Sequence, residues 1–236
     1  MSAAERVIVF TKAPSPGLVK TRLALVIGAD MAARLYRAMV ADTVRSVFTE
    51  AGLAGTLACT PAPDEFLRTL AGTWRLSLDV QRGADLTERL ADATARARAG
   101  GAARVLFIGA DSPTLPRAFV DLAFARLRAG RDVVLGPSFD GGYTLAALGP
   151  AAAPGAVFAG VPWDTDGALA ATRANVERAG LRLAYTPTWY DVDVIADLRM
   201  LRGHLETLGP AAAGGAPETR RMLATIPALR NTPGEN

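Results

Sequence analysis

Short runs of apolar, β-branched residues alternate with longer stretches whose apolar residues recur every three to four positions. That alternation limits the fold more than any single motif does. A strand covered on both faces carries apolar residues without interruption, and parallel strands are joined by crossover helices, so the pattern specifies a mostly parallel sheet wrapped by helices. Residues 7–10, 56–59, 76–80, 104–109, 132–136, 143–148 and 181–186 read as strands. Tyr36, Met39, Val40, Thr43, Val44 and Val47 form an apolar helix stripe that ends near Gly52. Asp85 with Glu88 three residues on reads as an N-cap with a capping-box partner, opening a helix through Ala99. Pro116 suits a first helical turn and Gly130 that helix's end. Further helices are expected over 166–179 and, from the stripe Ile195, Leu198, Leu201, Leu205 and Leu208, over 195–208.

At 236 residues the chain fits one large domain or two small ones. It contains neither an internal repeat nor a long linker, so one domain over 1–208 is expected. Residues 209–216 (GPAAAGGA) read as a flexible link to a short final helix packed on that domain, and 231–236 as a frayed tail. Residues 137–165, rich in Gly and Pro, break the βα rhythm and are expected to form a hairpin and a lid over a site.

A net charge of +3 spread along helix faces gives no reason to expect a nucleic-acid partner. No apolar run approaches the roughly 20 residues of a membrane span, and Met1–Arg6 lead into a strand without a signal-peptide pattern. A single cysteine, Cys59, allows no intramolecular disulfide and reads as a small buried hydrophobe, so a cytoplasmic protein is expected. The oligomeric state stays open, a homodimer among the options. One bias points to function. Of 26 basic residues only Lys12 and Lys20 are lysines, and both fall in one nine-residue stretch. A lysine is a compact charge on a flexible stem, suited to reaching several phosphate oxygens.

That stretch, Thr11 to Arg22, follows the first strand, and open α/β sheets bind ligands beyond the carboxyl ends of their strands. Gly17 allows backbone N–H groups to approach an anion, and Lys20 and Arg22 supply charge. Leu18 and Val19 separate Gly17 from Lys20, so this is not a Walker loop, and the dinucleotide G-x-G-x-x-G spacing is absent too. A proline-rich turn with solvated basic residues is the plainer reading, more apt for Lys12 than for Lys20 and Arg22.

Three acidic motifs could complement such a loop. Asp111, in Gly109–Leu115 at the end of an apolar strand, could hold a divalent metal or merely shape a turn before Pro113. In Tyr190–Val194, Asp191 and Asp193 would project to one side about 7 Å apart if extended, near enough to share a metal. Asp193 could equally cap the helix that follows. Asp140-Gly141-Gly142-Tyr143 combines a hairpin turn with glycines that permit close approach to a ligand. Trp163 could stack on a base or sugar, although a packed core tryptophan is commoner. The lone His204 falls on the polar side of its helix and is given no role; without a second histidine, a histidine metal site or a triad is not expected.

Taken in order, these motifs resemble the bacterial GT-A-like transferases called radical-SAM/selenodomain-associated transferase 1, which are usually described as glycosyltransferases. The resemblance spans Val7–Leu201. It rests on P-x-P-G-x-x-K-T-R-L at Pro14–Leu23, Q-x-G-A-D-L at Gln81–Leu86, G-A-D-S-P at 109–113, D-G-G-Y at 140–143 and D-V-D at 191–193. The set is also similar to 2-phospho-L-lactate guanylyltransferase and, more remotely, to molybdenum cofactor guanylyltransferase. The resemblance implies a Rossmann-like nucleotide-diphospho-sugar transferase fold of the GT-A type. It implies Mg²⁺ or Mn²⁺ on Asp111, Asp191 and Asp193, with Lys20, Arg22 and Asp111 catalytic. It implies nucleotide contacts from Ala13, Pro14, Gly17, Lys20, Arg22, Gly83 and Asp85, and a small-molecule acceptor near Asp140, Gly141, Gly142, Tyr143 and Trp163. Related sequences tend to have Gly where Thr87 stands, which weakens the close-approach role of that turn.

Two reactions fit. In glycosyl transfer, a nucleotide-diphospho-sugar loses its sugar to the acceptor. In nucleotidyl transfer, a phosphorylated acceptor attacks the α-phosphate of a nucleoside triphosphate and pyrophosphate leaves. The basic loop favours the second, and the name attached to the resembling family favours the first. A non-catalytic nucleotide-binding module would keep the loop without needing three carboxylates.

Overall fold

The structure is a computed structural model that describes residues 4–49, 52–208 and 215–229. Its strands are β1 (Ala4–Lys12), β2 (Ala54–Thr60), β3 (Ser77–Val80), β4 (Ala102–Gly109), β5 (Val133–Pro137), β6 (Tyr143–Leu148) and β7 (Leu183–Tyr185). They form one sheet in the order β3-β2-β1-β4-β6-β5-β7, parallel except for β6, which runs antiparallel between β4 and β5. All seven expected strands are present. This is a mixed, mostly parallel α/β architecture with helices on both faces of the sheet.

Nine α-helices are described: α1 (Thr21–Ile27), α2 (Ala29–Phe48), α3 (Glu65–Trp74), α4 (Leu86–Ala99), α5 (Arg117–Arg128), α6 (Pro154–Phe158), α7 (Ala168–Arg178), α8 (Ile195–Leu208) and α9 (Pro217–Leu223). The two-residue period of each central strand assigns its side chains to opposite layers. Val7 and Val9 of β1, with Leu106 and Ile108 of β4, pack under α2, α3 and α5. Ile8, Val105 and Phe107 point the other way, onto α4, α6 and α7. Each fully buried Val, Leu or Phe stabilises by about 1.5–3 kcal/mol relative to an exposed one, so both layers are needed.

Three helices, α1, α3 and α6, escape the sequence reading. α1 starts on the last two residues of the basic loop, is seven residues long and leaves Leu25 and Val26 exposed, so it shows no apolar period. α3 is short and contains Gly72, yet Asp64 caps it by accepting from the Leu67 amide at 2.9 Å. Elsewhere the differences are slight: Pro116 stands at the N-cap of α5 rather than inside its first turn. The 137–165 region holds the expected β5–β6 hairpin and adds α6. The 209–214 part of the expected link and the 231–236 tail lie outside the described residues.

A third apolar cluster joins α1, α2, α8 and α9 beyond the sheet. Its anchor is polar. Asp42, in the middle of α2 and 2% exposed, accepts hydrogen bonds from the amides of Thr219 (2.7 Å) and Glu218 (3.3 Å). One helix thus caps another, satisfying first-turn amides that have no intrahelical partner. Asp42→Ala is expected to cost about 2 kcal/mol, because it removes a charged acceptor from the buried Thr219 amide and the partly buried Glu218 amide. A urea midpoint unchanged from the parent would show that α9 is held by its apolar contacts alone.

Candidate active site

β1, β2, β3 and β4 run parallel, so the loops after them gather at one edge of the sheet. The loop after β1 begins with the Ala13 amide donating to the Thr60 carbonyl at 2.9 Å, which ties it to the end of β2. Gly17 takes φ +80° within this loop, a conformation costly for residues with a Cβ. Lys20 is also left-handed, at φ 47° and ψ 46°, and starts α1. A lysine held in this region marks a place where surrounding contacts over-determine the backbone. At the end of β3, the Gln81 side-chain amide donates to the carbonyls of Thr11 (3.0 Å) and Ala58 (2.9 Å), drawing the 81–85 segment to the same edge.

The contacts responsible are ionic. The Lys20 side chain is 4% exposed, and its ammonium lies 2.6 Å from Asp111 Oδ1 and 2.7 Å from Asp193 Oδ1. Three segments distant in sequence therefore converge on one nitrogen. Asp111 arrives because β4 lies beside β1, with Gly109 paired to Phe10. Asp193 arrives because the strand-like 189–192 segment crosses this edge. Trp189 bridges Ser138 in parallel, and the Val192 amide donates to the Asp111 carbonyl at 3.1 Å. Burial works to deprotonate Lys20, but the charges of Asp111 and then Asp193 outweigh it and hold the ammonium well above its ordinary pKa. The ammonium also sits 5.9 Å from the ring centroid of Tyr36. The Tyr36 hydroxyl is itself buried against Thr11, 3.0 Å away, and accepts from the Lys12 amide.

Asp191 takes a different partner, accepting from the Ser138 hydroxyl at 3.2 Å. Burial, followed by the charges of Asp140 and Asp193, pushes its carboxyl up to about 6. Asp193 does not cap α8. The roles are reversed, with the Asp197 carboxylate accepting from the amides of Asp193 and Val194 at 2.8 Å each. The Asp193 carboxylate is thereby released for Lys20.

Other expected site residues are spread around this centre. Asp140 accepts from the Gly142 amide at 2.9 Å, and its charge is felt at Asp191. Asp85 caps α4 through the Glu88 amide, Glu88 reaches back to the Ala84 amide, and Gly83 accepts from the Arg89 side chain. Arg22 and Lys12 are exposed, while Ala13 is buried under the loop. Tyr143 and Trp163 meet edge to face, and their polar atoms are engaged internally. The Tyr143 hydroxyl is 3.2 Å from that of Thr172, and the Trp163 indole donates to Thr87 Oγ1 at 2.9 Å. Thr87 in turn donates to the Phe158 carbonyl. This threonine clamps α6 and Trp163 to the start of α4.

Several supporting residues were invisible in the sequence. Ser138 orients Asp191. Tyr190 packs its ring on Trp189 and its hydroxyl between Thr114, which donates at 2.8 Å, and His204 Nδ1 at 2.5 Å. His204, given no role from sequence, thus braces the 189–193 segment against α8. No sequence signal marks such a bridge, since its members lie 14 to 90 positions apart.

Hard carboxylate oxygens suit Mg²⁺ or Mn²⁺. The donor set fits such an ion, because two carboxylate oxygens already point at one cationic centre, while burial and then the neighbouring carboxylate charges raise Asp191. Among the described residues, however, no three acidic, histidine or cysteine side chains gather closely enough to form a ready metal cage. The Lys20 ammonium stands between the Asp111 and Asp193 carboxylates, and Asp191 is turned to the Ser138 hydroxyl.

The comparisons decide the kinship. The family model described as "Uncharacterized protein conserved in bacteria (DUF2064)" matches residues 43–165, a span that includes Asp111 and the 140–143 turn. The chain belongs to this family. No curated protein matches the DUF2064 chain in sequence. Among solved structures, a provisionally assigned nucleotide-diphospho-sugar transferase of Desulfovibrio desulfuricans G20 is 31% identical, covering 96% of this chain and 99% of its own, with a TM-score of 0.81. A cytidylyltransferase of Leptospira borgpetersenii is 12% identical over 98% of both chains, with a TM-score of 0.60. Glucosyl-3-phosphoglycerate synthase of Mycobacterium tuberculosis, solved with Mn²⁺, UDP and phosphoglyceric acid, is 11% identical over 88% of this chain and 78% of its own, with a TM-score of 0.54. At that identity the last two share the fold alone. No helix among the described residues is long and apolar enough to cross a membrane.

Proposed function

We propose that this DUF2064 protein is a metal-dependent transferase that takes a nucleotide-diphospho-sugar and passes its sugar to a small-molecule acceptor. The convergence of Lys20, Asp111 and Asp193 at the carboxyl edge of the sheet carries the reading. The likeness to the Desulfovibrio protein, whose name gives the donor class, supports it. The motif set at 14–23, 81–86, 109–113, 140–143 and 191–193 extends it to the radical-SAM/selenodomain-associated transferases. One catalytic domain over 1–208, with α9 docked on it, working in the cytoplasm, completes the proposal.

In this reading Asp111, Asp191 and Asp193 would hold Mg²⁺ or Mn²⁺, which supplies charge neutralisation at the departing diphosphate. The loop from Ala13 and Pro14 through Gly17 to Lys20 and Arg22 binds the phosphates, and Gly83 and Asp85 border the nucleotide. Lys20 and Arg22 stabilise charge that develops on the leaving group. The acceptor lies against Asp140, Gly141 and Gly142, with Tyr143 and Trp163 as the wall behind the turn.

Nucleotidyl transfer is the second reading, favoured by the placement of Lys20. A buried lysine directly beside the acidic cluster could serve a transferring α-phosphate as readily as a leaving diphosphate.

One assay series separates these readings. The protein is incubated with Mg²⁺ and each nucleoside triphosphate or nucleotide-sugar, after a thermal-shift screen. A ligand present at 100 times its Kd should stabilise by about 2.7 kcal/mol. Nucleoside diphosphate release would establish glycosyl transfer, and pyrophosphate release nucleotidyl transfer. If no nucleotide or nucleotide-sugar raises the melting temperature with metal present, both readings fail.

A further inference from the structure

Lys20 meets two demands that conflict. As a phosphate ligand it must offer its ammonium to the nucleotide, yet in this structure both of its anionic partners are carboxylates of the cluster. Those carboxylates are also the ones a divalent cation needs. Asp111 and Asp193 are 41% and 45% exposed, whereas the lysine between them is 4% exposed. An incoming cation therefore meets the carboxylates from solvent and finds a positive charge already seated behind them.

We propose that the Lys20 ammonium and the divalent cation are alternative occupants of the Asp111–Asp193 pair, so that metal enters only as Lys20 leaves. This rests on the metal-dependent reading above. Electrostatics support exclusion, since a divalent cation within a few ångströms of a fixed ammonium is repelled strongly wherever water is scarce. The residue type supports it as well. Lysine has a flexible four-carbon stem with a point charge that can be redirected, whereas arginine would hold two carboxylates in a rigid fork. In a chain that uses arginine at 24 of 26 basic positions, one of the two exceptions stands at this nitrogen. Its backbone is left-handed, which sets the stem's starting direction at the head of α1.

The consequence is an order of binding. Without a polyphosphate, release of Lys20 would leave a buried cation with no anion, so free metal binds weakly. With a nucleotide present, its phosphates receive the ammonium and the carboxylates become available. Metal and nucleotide therefore bind cooperatively, each strengthening the other by the same factor. The resting protein also carries its own counter-ion, which keeps the carboxylates together without metal.

Two measurements with Mn²⁺ alone test this. First, free Mn²⁺ is followed by electron paramagnetic resonance during titration of the parent protein and Lys20→Met. The variant should bind at least tenfold more tightly, because its carboxylates have no competitor. Second, the parent is acetylated with an N-hydroxysuccinimide ester and digested for mass spectrometry. With only two lysines in the chain, Lys12 serves as the internal control. Saturating Mn²⁺ should raise Lys20 labelling at least fivefold and leave Lys12 unchanged. Equal Mn²⁺ affinity in both proteins, with Lys20 still protected at saturation, would overturn mutual exclusion and leave the metal-dependent reading standing. Absence of Mn²⁺ binding to either protein, even with a nucleoside triphosphate added, would overturn both. Should Lys20→Met fail to fold, or the two readouts part, labelling of the unaltered protein decides.

Discussion

Asp111→Asn is expected to lower kcat/KM by about 10²–10³-fold while leaving the fold intact, the size of effect seen when one electrostatic contact to developing charge is removed. The separation of effects follows from how Asp111 is attached. Its position is set by its backbone, whose carbonyl accepts from the Val192 amide, and by the β1–β4 pairing that ends two residues earlier. Asparagine keeps both. What it loses is the charge facing Lys20 and the proposed metal. Asp121→Asn is the appropriate control, since Asp121 is an exposed carboxylate paired with Arg117 one helical turn away. Surface pairs of this type contribute about 0–1 kcal/mol, so this variant should match the parent. Turnover of Asp111→Asn within tenfold of the parent, measured with whichever donor the screen identifies, would reduce Asp111 to a turn-forming residue. The melting temperature reports whether the fold survived.

Gly141→Ala is expected to destabilise the protein by about 3 kcal/mol or more, combining a strained backbone with an unrelieved clash. Gly141 holds φ +85°, and a Cβ there would lie 2.2 Å from the Asp166 carbonyl oxygen and 2.7 Å from its Cα. Both atoms belong to backbone, so no side chain can swing aside. The turn is further fixed by the Leu169 amide, which donates to the Gly141 carbonyl at 3.0 Å and ties the hairpin to α7. Relief would have to shift the turn that carries Asp140, whose charge acts on Asp191, and Ser138, which bonds Asp191 directly. Stability and activity should therefore fall together, unlike in Asp111→Asn. Chemical denaturation gives the first and initial rates the second. A loss below about 1 kcal/mol, less than the left-handed backbone alone costs a residue with a Cβ, would show that the 164–168 segment yields easily.

Much of this architecture was legible because it rests on short-range periodicity. Val7, Ile8 and Val9 alternate between two buried layers, so β1 reads as a continuous apolar run, and Val40, Val44 and Val47 repeat at the helical period. Those patterns are local, and local sequence carries them whole. Elements too short to show a period were lost, as α1 was, with Leu25 facing solvent. The loop and the acidic motifs could be found because each sits at the end of a strand, where open sheets place their ligands. Their mutual arrangement could not.

By itself the sequence determined the strand set, the layering and the residue types at the carboxyl edge, since these depend on neighbours a few positions apart. Tertiary structure alone decided which groups share an electrostatic environment. Lys20 and Asp193 are 173 residues apart in the chain and 2.7 Å apart in space. The spacing of motifs cannot reveal that a lysine expected on phosphate would stand between carboxylates expected on metal, or that Asp197 rather than Asp193 would cap α8. Coulomb energy depends on distance in space and on exclusion of water, and both are set only when the sheet order brings β1 beside β4 and lays the 189–193 segment across their ends.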